Sequence, residues 1–181
     1  MASNVKKYIL TSVTLGLIAA SGALLIAGTN MITKKTIAEN EQKSINNGIK
    51  TIYGDTAAIK ETNAIDGNNY EYVTVRYIVN DENDAPLGYA FRTEGSNNYG
   101  KISLIIGFNK ECVYKGLSVV TNEQSFASTL KKGYLDIIKD GSKTIDDVSV
   151  SCGATYGAKL VRNMVNEAEQ AAKDLLGVNN G

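Results

Sequence analysis

No histidine occurs among the 181 residues, which removes the side chain used most often as a general base and as a metal ligand. Only two cysteines are present, Cys112 and Cys152, and two cysteines forty positions apart fit no zinc, haem or iron–sulfur spacing. A metal site is not expected, and any redox chemistry needs an organic cofactor. A surplus of charge is missing too. Lys+Arg and Asp+Glu are equal at 19 each, so nothing offsets a phosphate backbone and no nucleic-acid partner is expected. Proline occurs once, at Pro86. The chain shows no internal repeat, no low-complexity tract and no dinucleotide-binding motif.

What the chain does have is one long apolar run. Residues 8–33 carry no charge, and 8–28 are mostly apolar. That is the length a helix needs to cross the hydrocarbon core, about 20 residues. A cleaved signal peptide is the alternative, but the run exceeds the usual 7–15-residue signal core and no cysteine follows to accept a lipid. The segment therefore reads as a retained single-pass anchor over 1–33, ahead of one domain over 34–181. Lys6 and Lys7 precede it as on a cytoplasmic flank, yet Lys34 and Lys35 follow it. Charge alone does not set the orientation. Gly16, Ala19, Ala20, Ser21, Gly22 and Ala23 would permit close contact with other membrane helices.

Beyond the span, 33–53 is predicted helical, with Ile37, Ile45, Ile49 and Ile52 near one face. Asp66-Gly67-Asn68-Asn69 is a turn signal. Strands are predicted at 70–79, 87–93, 101–108 and 112–121, from β-branched and aromatic runs between Gly/Asn-rich turns. A helix follows over 125–139, with Phe126, Leu130, Leu135 and Ile138 as buried positions, then a short strand at 144–150. The final helix spans 156–176. Its apolar positions Leu160, Val161, Met164, Val165, Ala168, Ala172, Leu175 and Leu176 keep the 3.6-residue period, and Gly177 suits a C-cap. The fold class is α+β, an antiparallel sheet flanked by helices.

The segment that carries chemistry is Cys152-Gly153-Ala154-Thr155. It places a hydroxyl at a helix start, where free N–H groups and the positive end of the dipole suit a phosphate. Gly153 and Ala154 keep side-chain bulk away from an extended ligand. A plain helix start, with Ser151 or Thr155 as N-cap, explains the same four residues. Cys152 allows three readings: a reactive thiol beside the helix N-terminus, a disulfide with Cys112, or a small buried side chain.

The stretch resembles the flavinylation motif of the FMN-binding domains of the Rnf complex G subunit and the sodium-translocating NADH:quinone reductase C subunit. That motif is approximately Asp-x-x-Ser/Thr-Gly-Ala-Thr, its last threonine bearing FMN through a phosphoester. Thr29-Asn30-Met31-Ile32-Thr33-Lys34 is similar to the family's segment after the membrane. Leu87-Gly88-Tyr89-Ala90-Phe91, Tyr99-Gly100-Lys101-Ile102 and Ile105-Ile106-Gly107-Phe108 follow its strand pattern, and Asn163-Met164-Val165-Asn166-Glu167-Ala168 its last helix. Cys152 replaces a hydroxyl residue and Ser149 an aspartate. Glu123, within Asn122-Glu123-Gln124-Ser125-Phe126, stands for the family's Glu-Thr-Pro-Gly-Leu-Gly segment.

The resemblance implies covalent FMN on Thr155, with Cys152, Gly153, Ala154, Tyr156, Glu123, Tyr99 and Gly100 around it. Glu123 is equally readable as a solvated loop carboxylate, and Tyr99 and Tyr156 as packing residues. It further implies an extracytosolic domain on the plasma membrane and a flavin transferase for maturation. The chain would carry electrons among the integral membrane subunits of an ion-translocating ferredoxin:NAD oxidoreductase. A stand-alone extracellular electron carrier, or a flavin-free structural subunit, are the alternatives.

Overall fold

The computed structural model describes residues 2–65 and 69–175. The chain divides into two compact units, Met1–Gln42 and Lys43–Gly181.

From Ala2 on, the first unit is helical, as part of α1 (Ala2–Tyr53). α1 is long and apolar enough to cross a membrane. Leu10, Leu15, Leu17, Ile18, Leu24, Leu25 and Ile26 all stand exposed on it. Its hydroxyls turn back onto the helix: Thr11, Thr14, Ser21 and Thr29 donate to the carbonyls of Lys7, Leu10, Leu17 and Leu25 at 2.9, 2.9, 2.5 and 2.7 Å. These four hydroxyls are thereby satisfied without water, as an apolar solvent requires. The two helices expected either side of residue 30 are one, because no proline or turn residue cluster interrupts them.

The second unit is built on a five-stranded antiparallel meander, β1 (Ala58–Ala64), β2 (Val73–Asn80), β3 (Pro86–Asn97), β4 (Gly100–Asn109) and β5 (Tyr114–Asn122), in sequential order. Helices cover both faces. On one, Ile45, Ile49 and Ile52 from the end of α1 pack with Ala57, Tyr77, Val79, Ala90 and Ile105. Ile37, expected on the same stripe, is exposed. On the other face, Phe91, Ile102, Leu104, Ile106 and Phe108 meet a helical segment and α4 (Thr155–Leu175). That segment is α2 (Ala127–Leu130), a π-helical turn (Lys131–Leu135) and α3 (Asp136–Ile138). Strand β4 is buried on both faces, which explains its unbroken Ile-Ser-Leu-Ile-Ile run.

One close approach locks α1 to the sheet. A Cβ at Gly107 would lie 2.5 Å from Ile52 Cγ2 and 3.0 Å from Tyr53 Oη. The Tyr53 hydroxyl reaches the carbonyls of Tyr89 and Phe108 at 2.6 and 2.9 Å and accepts the Phe108 N–H at 3.0 Å.

Several expectations are corrected. Strand β1 was not foreseen, since Ala-Ile-Lys-Glu-Thr-Asn-Ala has little β propensity; its pairing with β2 makes it a strand, and charged Lys60 and Glu61 suit an outer edge. β2 begins at Val73 rather than Tyr70, because Glu167 Oε1 takes the N–H groups of Tyr72 and Val73 at 2.6 and 2.9 Å. β5 begins at Tyr114 because Cys112 sits in a turn at φ 58°.

No strand forms over 144–150. There Asp147 Oδ2 holds the Thr144 N–H and hydroxyl, both at 2.9 Å. Arg162 Nη2 donates to the carbonyls of Ile145 and Val148 at 2.6 and 2.8 Å, so a side chain fills the place of a neighbouring strand. Phe126 precedes α2 and is exposed, and Leu175 is partly exposed at the end of α4. The Gly177 cap, Leu176 and the turn residues Asp66, Gly67 and Asn68 lie outside the described residues.

Candidate functional site

Three chain segments converge at the start of α4. The first is the tight β3–β4 hairpin, where Asn97 faces Gly100 and Asn97 Oδ1 accepts the Tyr99 N–H at 2.8 Å. Gly100 has φ 129°, and a Cβ there would lie 2.2 Å from the Glu123 carbonyl oxygen. Only glycine lets the second segment, 122–126, lie this close. The two are stitched by Glu123 N–H to the Lys101 carbonyl at 2.9 Å and Ser125 N–H to the Tyr99 carbonyl at 2.7 Å. Gln124, 6% exposed, donates from Nε2 to the Gly100 carbonyl.

The third segment is Cys152 to Gly157. Gly153 adopts φ 80°, the left-handed region that turns the chain into α4. Ala154 is the residue before the helix, and its carbonyl accepts the Ala158 N–H at 3.0 Å. Thr155 is thus the first helical residue, and the N–H groups of Thr155, Tyr156 and Gly157 have no intrahelical acceptor. Neither of the expected caps, Ser151 or Thr155, makes a capping bond among the described residues; the Ser151 N–H instead donates to Ser149 Oγ at 3.2 Å. The Thr155 hydroxyl is half-buried and makes no hydrogen bond to the described residues.

Between the segments lies a pocket of about 230 Å³, lined by Tyr99, Gln124, Phe126, Leu130, Gly153, Ala154, Thr155, Tyr156 and Gly157. Its mouth is aromatic. The rings of Tyr99 and Tyr156 stack with centroids 5.4 Å apart and 26° between planes, and Phe126 lies 5.8 Å from Tyr99. Asn97 Nδ2 donates to the Tyr156 carbonyl at 3.3 Å and ties the hairpin to the helix. No charged side chain lines the pocket, so the free N–H groups of α4 are its positive pole. A Cβ at Gly157 would lie 2.9 Å from Leu130 Cδ2, so that glycine sets the floor.

Tyr99, Gly153, Ala154, Thr155 and Tyr156 line one cavity. Gly100 stands behind it and supplies the carbonyl that holds Gln124. Glu123 is exposed and turns only its backbone toward Gly100; the polar side chain in the pocket is its neighbour Gln124. Cys152 is half-buried below, 3.0 Å from where a Cβ at Gly133 of the π-helical turn would be. It forms no disulfide: both thiols are free, and the buried Cys112 donates to the Ala172 carbonyl at 3.0 Å. Sequence reasoning missed Gln124, Leu130 and Gly157 as site residues and placed Phe126 in the core. A polar residue beside Glu123 was the one available signal.

An apolar helix long enough to span a membrane, followed by an α+β module, is the architecture of a membrane-anchored α+β protein. Comparison with known families narrows the class: residues 1–52 match the family model described as the RnfG N-terminal region. The chain resembles the RnfG subunit in that stretch, and the match points to a subunit of an Rnf-type complex. It ends before the sheet, so the pocket residues lie beyond it. No curated protein matches the chain. Among the described residues no group of three or more His, Cys, Asp or Glu is placed to hold a metal ion.

Proposed function

We propose that this chain is the FMN-bearing electron-transfer subunit of a membrane-bound, ion-translocating Rnf-type ferredoxin:NAD oxidoreductase. In this reading 1–33 anchors the chain among integral membrane subunits and 34–181 stands outside the cytosol. A flavin transferase would join FMN to Thr155 through a phosphoester. FMN, when bound, exchanges electrons in pairs or singly, at a potential set by the protein around it.

The observation that carries this reading is Thr155, a pocket-lining residue at the first position of α4 whose hydroxyl makes no hydrogen bond to the described residues. The residues fit the group in three respects. The free N–H groups of Thr155, Tyr156 and Gly157 would hold the phosphate, with no side-chain cation needed. Gly153 and Ala154 leave the approach unobstructed. Tyr99, Tyr156 and Phe126 offer aromatic surface to a planar ring. The pocket is smaller than the roughly 300–1,000 Å³ of a site that encloses its ligand. Part of the cofactor would thus stay accessible, as electron exchange with another subunit demands.

The test uses full-length protein made in its own host or beside a flavin transferase. Denatured protein should fluoresce as flavin in a gel, and Thr155→Ala should abolish this. Because the hydroxyl bonds nothing, folding stability should change by no more than about 0.5 kcal/mol. Colourless protein from its own host would overturn the reading. Co-purification with membrane subunits checks the complex.

A further inference from the structure

We propose that Gln124 is the residue that reads the ring of the bound group, its carboxamide oxygen accepting a hydrogen bond from a ring N–H. This rests on the FMN reading and adds a contact to it.

Gln124 is the one polar side chain of the pocket besides those of Thr155 and the two tyrosines, and it is 6% exposed. Its conformation is fixed from three sides. Its N–H donates to Asn122 Oδ1 at 3.2 Å, its carbonyl accepts the Ala127 N–H at 3.0 Å, and its Nε2 donates to the Gly100 carbonyl. With the amide nitrogen committed to Gly100, Oε1 is directed to the opposite side. It lies 3.3 Å from where a Cβ at Gly157 would be, beside a pocket-lining residue, and accepts no hydrogen bond from the described residues. The oxygen of a carboxamide whose nitrogen is already committed, on a residue that lines the pocket, is free to accept from a ligand.

The chemistry that satisfies it is an N–H on the edge of a planar heterocycle. The imide N–H of the flavin ring is such a donor in both redox states. The phosphate end offers only acceptors, which the N–H groups of α4 would take.

An acceptor bonded to the imide N–H favours its protonated form and raises its pKa. In flavin-loaded full-length protein in detergent, the alkaline absorbance transition of the ring should lie above that of free FMN in the same buffer. Gln124→Leu should lower it by about one pH unit, a tenfold change in proton affinity. Gln124→Met, which keeps the length without an acceptor, should do the same and serves if the leucine variant folds poorly. Covalent flavin fluorescence should persist in both. Coincident transitions in parent and variants, with flavin bound, would overturn the Gln124 contact alone. Absence of bound flavin in the parent would overturn it together with the FMN reading.

Discussion

Alanine at Gly100 and at Gly153 makes the same chemical change at two corners of one pocket, and the structure assigns the two very different costs. At Gly100, φ 129° is a backbone region open almost only to glycine, and holding alanine there costs about 1–3 kcal/mol. The new Cβ would also meet the Glu123 carbonyl oxygen at 2.2 Å and its carbon at 2.8 Å. Ordinary contact requires the two backbones to part by about 1 Å. That movement strains the Glu123-to-Lys101 and Ser125-to-Tyr99 hydrogen bonds, each worth about 1 kcal/mol. The expected loss is about 3–5 kcal/mol, a large part of a typical stability of about 5–15 kcal/mol.

At Gly153 the left-handed backbone costs alanine about 1–2 kcal/mol. The nearest atom to its Cβ is the Thr129 methyl at 3.2 Å, which belongs to a side chain that can give. A stiffer unfolded chain returns about 0.4–1 kcal/mol, leaving a net loss of about 1 kcal/mol. Gly153→Asn should be milder, because asparagine tolerates this region. Urea unfolding of full-length protein in detergent, followed by tyrosine fluorescence, measures all three as midpoint shifts at constant slope. Losses within 1 kcal/mol of each other for the two alanine variants, or a larger loss at Gly153, would refute the reasoning.

Further outcomes follow from side chains that hold elements together. Tyr53→Phe removes the hydroxyl shared by Tyr89 and Phe108 and should cost about 1–3 kcal/mol in the same urea assay. Glu167→Ala leaves the Tyr72 and Val73 N–H groups without their acceptor, and should lower stability by about 2–3 kcal/mol with faster amide exchange at both. Burial and then Asp174, bonded at 2.6 Å, push the Tyr70 phenol up to about 12. Its contribution is therefore full below pH 10 and lost as pH rises toward 12; Tyr70→Phe should flatten that alkaline decline in melting temperature. The Tyr70 and Gln170 hydrogen bonds hold the Asp174 carboxyl below its usual range. Its contribution is present above the ordinary aspartate pKa of about 3.9 and lost as pH falls, so Asp174→Asn should weaken acid sensitivity.

The architecture was legible wherever one residue pattern met one burial pattern. Strand β4 and helix α4 bury the residues their periodicities mark, Ile102, Leu104 and Ile106 on one and Leu160, Val161, Met164 and Val165 on the other. Illegible were features decided by distant partners. Residues 58–64 become a strand only because β2 lies alongside, and 144–150 fails to become one because Arg162, on another element, occupies its carbonyls. At the candidate site, the place of Thr155 at a helix start was legible because it is set locally. The place of Gln124 in the pocket wall was not, because it depends on Gly100, a residue 24 positions away whose missing side chain allows the contact. Phe126 read as core from helical spacing, but α2 begins one residue later and leaves it at the pocket mouth.

The unequal burial of the two thiols gives the molecule a pair of independent chemical reporters. Cys112 is enclosed, donates to Ala172 and is held protonated mainly by burial, so alkylating reagents reach it only when the domain opens. Cys152, less buried and three residues before Thr155, should be labelled sooner than Cys112 in the folded protein. Modification at one position then times unfolding, while modification at the other senses what occupies the neighbouring cavity, without any engineered residue.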